Sequence, residues 1–212
     1  MRTIEKTVFT FDELSDSAKE NARQWWRDAE NFDSYWHESV FDDAAERADI
    51  LGIDLHQTRV NLAGGGYRYN PTIYFSGFSS QGDGACFEGS YTYQKGAVKA
   101  MSQYAPNDKE LQRIATALQA LQKHHFYSLT ANCRHSGHYY HAYCMSVDVG
   151  YSRDDSRDIS DAESELTELL RDFANWIYRQ LEAEYEYQMS DEVVDENIRM
   201  NEYEFDENGK IN

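Results

Sequence analysis

The chain has 212 residues, of which 41% are hydrophobic and 14% aromatic, so it can build a core and is unlike a disordered chain. Its 38 acidic and 20 basic side chains give a formal net charge of −18. Such a chain repels phosphate backbones, which argues against direct nucleic-acid binding.

The cysteines and the apolar segments indicate the compartment. Cys86, Cys133 and Cys144 are odd in number and not closely spaced, which argues against a disulfide framework or a complete zinc site. Residues 1–6 lack an apolar signal region, and no apolar run approaches the roughly 20 residues that cross a bilayer. We therefore expect buried thiols, a cytoplasmic protein, no membrane contact and no cofactor.

The N-terminal part predicts one strand and two helices. Side chains alternate over residues 3–9, Thr10 and Glu13 have the spacing of a capping box, and Ser15 offers a second N-cap. The apolar faces of the two helices are formed by Ala18, Ala22, Trp25, Trp26 and Ala29 in the first and by Trp36, Val40, Phe41, Ala44, Ala48 and Leu51 in the second. Gly52 is the expected stop of the second helix.

The middle of the chain predicts mainly strands. Residues 55–62 form one candidate strand, and residues 67–78 and 85–93 form a hairpin around the loop at residues 79–84. An Asp-Gly step in that loop is a turn signal. Residues 96–104 and 108–124 then predict two helices, the second with an apolar stripe.

A second hairpin is predicted over residues 127–134 and 138–149, and its register follows from the apolar pattern. A two-residue turn would place Cys133 on the same face as polar Ser146 and Asp148. A three-residue loop at residues 135–137 instead pairs Arg134 with His138 and gathers the apolar side chains on one face. We therefore expect the three-residue loop.

The last third of the chain predicts a long helix and a late strand. The helix follows Ser160 and carries acidic side chains opposite its core face, and Asn208-Gly209 is a hairpin turn signal near a strand at a sheet edge. Strands and helices occur in groups, so the sequence predicts an α+β fold: an antiparallel sheet with helices packed on it and a long acidic C-terminal helical region. We expect one domain over residues 1–212, with 1–150 and 151–212 as the alternative subdivision.

Three segments carry a resemblance to a known group of proteins. They are FSGFSSQGDGACF at residues 75–87, FDELS at residues 11–15 and EYEFDENG at residues 202–209. Together they resemble a family of small proteins of phages and prophages, some of which are labelled as the antitoxin of a toxin–antitoxin system. The resemblance implies a bacterial or viral setting and an accessory role, and it implies no catalytic residues.

The loop at residues 79–84 and one tryptophan are candidate binding residues. Ser79, Gln81 and Asp83 offer hydrogen-bond donors and acceptors, and the neighbouring glycines allow a partner to approach the backbone, although a plain tight connection explains them equally well. Adjacent Trp25 and Trp26 cannot both face one core, so we take Trp26 as a candidate anchor for a partner, with core packing as the alternative.

The acidic C-terminal part is the second candidate. Residues 151–212 hold 19 acidic and 6 basic side chains, so the charge is asymmetric. Carboxylates on each turn of the long helix would imitate the charges of DNA, and an ordinary solvated face is the alternative. The candidate residues of this helix face are Glu163, Glu165, Glu168 and Asp172.

Catalytic patterns are weak. His135, His138 and His141 invite a metal interpretation, but the predicted strand directs His138 and His141 to opposite faces. A cysteine or serine with a distant histidine gives no defined nucleophile, and the strand–turn–helix nucleophile motif is absent. A binding protein is therefore expected rather than an enzyme.

We expect an acidic, phage- or prophage-encoded protein that blocks or sequesters a host macromolecule with a basic surface. An inhibitor of a defence system, such as an anti-CRISPR or anti-restriction protein that imitates nucleic acid, fits this expectation. The alternatives are an antitoxin and a metal-assisted hydrolase that uses Asp83 with the histidines. The sequence leaves the oligomeric state open.

Overall fold

The computed structural model describes residues 6–29, 34–152 and 159–211. These residues form an α+β protein whose sheets are all antiparallel, as the sequence predicts. The helices are α1 (Asp16–Asp28), α2 (Glu38–Leu51), α3 (Ala97–Tyr104), α4 (Lys109–His124), α5 (Ser160–Gln188) and α6 (Asp191–Met200). The strands are β1 (Phe9–Thr10), β2 (Ile53–Leu55), β3 (Gln57–Asn61), β4 (Tyr67–Pro71), β5 (Ile73–Ser76), β6 (Gly84–Phe87), β7 (Gly89–Thr92), β8 (Leu129–His135), β9 (Met145–Tyr151) and β10 (Glu204–Phe205).

The chain divides into two compact units, and neither boundary falls at residue 150. The first unit contains both ends of the chain, Met1–His37 and Ala183–Asn212, and the second contains Glu38–Glu182. No helix among the described residues is long and apolar enough to cross a membrane.

In the first unit, α1 and α6 pack through small and apolar side chains. Ala22 and Trp26 of α1 are buried together with Val194 and Ile198 of α6. Ser15 caps α1 by accepting a hydrogen bond from the Ala18 N–H at 3.3 Å. The two ends of the chain therefore share one small core.

The first and last strands of the chain pair with each other. Phe9 pairs with Phe205 and Thr10 with Glu204, which confirms a late strand beside a turn at Asn208-Gly209. The predicted first strand is wrong over residues 6–8, which are not in a strand, and its residues 3–5 lie outside the described residues. The Glu13 carboxylate accepts hydrogen bonds from the Thr10 N–H and hydroxyl, so the chain leaves the strand directly into a 3-10 turn.

The second unit is built on a four-stranded sheet in the order β2-β7-β8-β9. Leu129, Ala131 and Cys133 of β8 are buried on one face of this sheet, as the alternation of apolar and polar residues predicts. Gln122 of α4 is buried too, and its amide donates to the Leu129 carbonyl and accepts from the Leu129 N–H. One polar side chain therefore joins the helix layer to the sheet.

Three long strands meet at a junction where each changes its partner. The strand over residues 53–61 pairs with β7 and then with β4, and the strands over residues 67–76 and 84–92 switch in the same way. At the switch points the His56 N–H donates to the Glu88 carbonyl, the Glu88 N–H to the Thr72 carbonyl, and the Thr72 N–H to the His56 carbonyl. This three-strand junction explains why each long predicted strand is observed as two short ones.

The register of the β8–β9 hairpin differs from the prediction. Arg134 pairs with Ser146 rather than with His138, so residues 136–144 form a long connection instead of a three-residue loop. The shift is an even number of residues, so the buried face of β8 is unchanged. The connection folds back because its Tyr139 and His141 pack on glycines of the neighbouring hairpin.

Candidate functional site

The polar loop between β5 and β6 lies beside a cavity of about 700 Å³. One wall is the loop itself, a second is the β8–β9 connection, and a third is α5. We call this space the loop cavity. Its lining residues are Gln81, Gly82, Asp83, Gly84, Tyr139, His141, Ala142, Tyr143, Asn175 and Tyr178.

Asp83 holds the loop in shape. Its Oδ2 accepts hydrogen bonds from the backbone N–H groups of Ser79 at 3.0 Å and Ser80 at 2.6 Å. The Asp83 N–H donates back to the Ser80 carbonyl at 3.2 Å. Two of the predicted loop residues, Gln81 and Asp83, line the cavity, and Ser79 is exposed beside it.

Two glycines let the β8–β9 connection lie directly on the loop. A Cβ at Gly84 would be 2.6 Å from the Cα of His141, and a Cβ at Gly82 would be 3.2 Å from the Tyr139 ring. Gly82 also has a φ of 98°, a region that favours glycine. The glycines of the sequence signature are therefore required by packing within the unit.

Tyrosines form most of the remaining wall. Tyr139 is 55% exposed and Tyr143 is 68% exposed, whereas Tyr178 is half-buried against Phe78, with ring centroids 5.5 Å apart. The Tyr178 hydroxyl donates to the Gly77 carbonyl at 2.9 Å, which fixes the start of the loop. Burial, followed by the charges of Glu182 and Asp83, raises the pKa of Tyr178.

His141 and Cys144 lie close together at the edge of this cavity, but they do not form a base and a nucleophile. The Tyr143 N–H donates to Nδ1 of His141 at 3.2 Å, which favours the neutral tautomer with its proton on Nε2. That nitrogen is 3.5 Å from the Cys144 sulfur and faces it as a donor. In that tautomer Nε2 donates towards the sulfur and does not accept from it.

The three candidate metal-binding histidines are engaged separately. His135 packs beside the stacked rings of Tyr74 and Tyr140, with ring centroids 5.1 and 5.2 Å away. His138 lies edge-on to Tyr139, and His141 is beside Cys144. Over residues 6–29, 34–152 and 159–211, no three His, Cys, Asp or Glu side chains are grouped so that they would hold a metal ion.

The acidic candidates on α5 are partly neutralised by arginines. Glu168 is bonded to Arg171 at 2.7 Å, and Asp172 is bonded to Arg113 at 2.6 Å, whereas Glu163 and Glu165 are exposed. Arg113 lies on α4, a partner that sequence reasoning did not identify. The helix therefore does not present an unbroken negative stripe.

Trp26 is a buried residue and not a surface residue. It is 0% exposed and lies in the core of the first unit, so it is removed from the candidate site. Trp25 is the partly exposed member of the pair, and its ring packs edge-on against Tyr203, with centroids 5.1 Å apart. One of the two adjacent tryptophans is partly exposed, as expected, but it is Trp25 rather than Trp26.

Sequence reasoning missed Tyr139, Tyr143, Asn175 and Tyr178. The signal for the first two was the run HYYHAY at residues 138–143, which the alternation assigned to a strand. Tyr178 and Asn175 lie on α5, and no local pattern separates them from the core positions of that helix.

Fold and site together define an α+β protein with a tyrosine-lined cavity beside a glycine-rich loop. The family model described as a domain of unknown function, DUF8835, matches residues 36–191, and the chain belongs to that family. The matched range contains the whole loop cavity. No curated protein and no solved structure matches the chain.

Proposed function

We propose that this chain is a phage- or prophage-encoded protein that binds a basic host protein through the loop cavity and thereby blocks it. The observation that carries the proposal is the exposed tyrosine surface built on a braced loop. Tyrosine, serine and glycine are the residues that protein-binding loops favour, because tyrosine supplies a large contact area at a small cost in conformational entropy.

The charge of the chain supports a basic partner. A net charge of −18 attracts positive surfaces and repels nucleic acid. The acidic stripe of α5 is a weaker carrier of the contact than the cavity, because Glu168 and Asp172 already hold arginines. The segment at residues 75–87, which resembles phage and prophage proteins, forms one wall of the cavity and supports the proposed setting.

The geometry supports binding more than catalysis. Asp83 is used to hold two backbone N–H groups, and His141 presents a donor rather than a base to Cys144. The residues of the metal-assisted alternative are therefore occupied by structural contacts. A blocking protein needs only a complementary surface, and the lining of the cavity is our candidate for it.

The test is to capture a partner from bacterial lysate, purify it and measure its affinity for matched variants. We expect the double variant Tyr139→Ala/Tyr143→Ala to weaken binding about tenfold or more, because exposed tyrosines at the centre of a contact contribute strongly. Tyr67→Ala/Tyr69→Ala is the control, because it removes two exposed tyrosines of β4, which do not line the cavity.

Affinity should also fall as salt rises, because opposite charges are screened. A partner that binds both double variants with equal affinity would overturn the proposed contact. The identity of the partner then separates the two settings: a toxin makes the chain an antitoxin, and a nuclease complex makes it a defence inhibitor.

A further inference from the structure

The loop cavity combines aromatic rings with carboxylates. Tyr139 and Tyr178 line it from two different elements, Asp83 lines it from the loop, and Asn175 adds an amide. Aromatic faces attract cations, and a carboxylate at the same site adds a charged acceptor. These are the groups that bind a positively charged side chain.

Asp83 gives the lining of the cavity a negative charge. The ten described residues that line it include no lysine and no arginine. Glu182 and Asp83 both act on Tyr178, although burial is the larger cause of its raised pKa. Arg171, whose guanidinium lies over the Tyr143 ring, is already bonded to Glu168 at 2.7 Å.

One contact within the unit shows the kind of interaction that a tyrosine of this wall makes. The guanidinium carbon of Arg171 lies 4.9 Å from the centroid of the Tyr143 ring. A planar guanidinium stacks on an aromatic ring while it donates an N–H group to a neighbouring carboxylate, whereas an ammonium is a compact point charge that does not stack. Tyr143 is thus engaged by Arg171. Tyr178 stacks on Phe78 and Tyr139 lies against Gly82, so each would receive an incoming group on its other face.

Asp83 is held in place for a second role. Both backbone N–H groups that it binds donate to Oδ2. Oδ1 accepts no hydrogen bond from the part of the chain that the structure describes, so it is the oxygen that a guanidinium would use. Because the loop bonds already fix the side chain, a ligand would not have to order it, which lowers the entropic cost of binding.

We propose that the loop cavity is a binding site for an arginine side chain, held by Tyr139, Tyr178 and Asp83. This inference rests on the proposed function, because it names the group by which a basic partner protein would enter the cavity. It also deepens that function, since the partner must then present an accessible arginine.

The experiment uses the full chain and small probes: N-acetylarginine amide, N-acetyllysine amide and N-acetylcitrulline amide. Citrulline has nearly the shape of arginine but no charge. Backbone amide shifts of Gly82 and Gly84 are followed by NMR during titration. We expect saturable binding of the arginine probe, and binding of the lysine and citrulline probes that is weaker by about fivefold or more.

Two variants test the assigned residues. Asp83→Asn keeps an oxygen that accepts the Ser79 and Ser80 N–H groups but removes the charge, and Tyr139→Leu removes the ring. We expect each to weaken the arginine probe by about fivefold or more. Tyr187→Leu and Glu207→Gln are the controls, because these exposed residues lie outside the cavity, and they should bind the probe like the unaltered chain.

Equal binding of the arginine and citrulline probes, or of the arginine and lysine probes, would overturn the assignment of arginine. So would unchanged affinity in Asp83→Asn. A protein partner that still depends on Tyr139 and Tyr143 when the arginine probe fails would leave the proposed function standing and overturn this inference alone.

Discussion

Gly84 lies where the β8–β9 connection comes closest to strand β6. A side chain there would overlap the backbone of His141, since an added Cβ would be 2.6 Å from its Cα. The residue is glycine because two pieces of backbone need the same space. The position therefore links the stability of the second unit to the shape of the loop cavity.

We expect Gly84→Ala to lower the free energy of unfolding by about 1–3 kcal/mol, because the connection must move away from the added methyl group. Urea denaturation followed by circular dichroism measures the loss. Gly64→Ala is the matched control, because no atom lies within 4 Å of an added Cβ at that glycine. Equal unfolding midpoints for the two variants would show that the contact is not tight.

At the scale of single elements, α4 is joined to β8 by Gln122. The side chain is 1% exposed, and its amide binds both backbone groups of Leu129 while also donating to the Tyr91 hydroxyl at 3.3 Å. Removing it would leave a buried N–H and a buried carbonyl without their partner, and each such group is costly.

We expect Gln122→Ala to destabilise the chain by about 2–4 kcal/mol, from the lost hydrogen bonds and from the space left behind. Gln119→Ala is the control on the same helix, because Gln119 is exposed and should change stability by less than about 0.5 kcal/mol. Thermal unfolding of both variants measures the difference. A small loss in Gln122→Ala would mean that water or Tyr91 replaces the amide.

Helices with a clear local apolar pattern were predictable from the sequence. The strand register that depends on contacts with distant residues was not. The helices over residues 97–104 and 109–124 match their apolar stripes, because an amphipathic face is written every three to four residues. The β8–β9 register was missed because Tyr139 and His141 pack on Gly82 and Gly84, more than 50 residues away in the chain. The alternation of apolar and polar residues within one hairpin contains no information about such a distant contact.

At the scale of the whole molecule, the clustering of acidic residues in sequence was not the same as their clustering in space. The fold brings Arg113 to Asp172, and in the first unit it brings Arg23 to Asp195 at 2.6 Å. The net charge could therefore be calculated from the composition, but the position of the loop cavity could not be predicted from it. The tyrosines that line the cavity come from two separate segments, and only the fold brings them together.

A buried thiol and a buried tyrosine hydroxyl limit the stability of the second unit at high pH. Burial raises the pKa of the Cys133 thiol from 9.0 to about 12, and burial also raises the pKa of the Tyr91 hydroxyl from 10.0 to about 12. In the unfolded chain these groups lose their protons at lower pH than in the folded chain. The stability that they contribute is therefore complete below about pH 9 and is lost as the pH rises towards 12.

We expect the free energy of unfolding to be nearly level below pH 9, as far as these groups determine it, and to fall between pH 9 and 12. Cys133→Ala removes one of the titrating groups, so its stability should fall less steeply over the same range even if it is lower throughout. Denaturant titrations at a series of pH values measure the two slopes. Parallel curves would contradict a role for this thiol.

The three-strand junction allows one strand pair of the sheet region to change in length. His56, Thr72 and Glu88 close a ring of backbone hydrogen bonds, and three strand pairs, β2–β7, β3–β4 and β5–β6, extend from this junction. The β5–β6 hairpin ends in the loop that lines the cavity, and the β3–β4 hairpin is tied to α2 by the ion pair of Arg68 with Glu38. Beyond that pair the β3–β4 hairpin ends in three consecutive glycines, where an added Cβ would meet no atom within 4 Å, so its length and sequence can change there while the cavity is preserved.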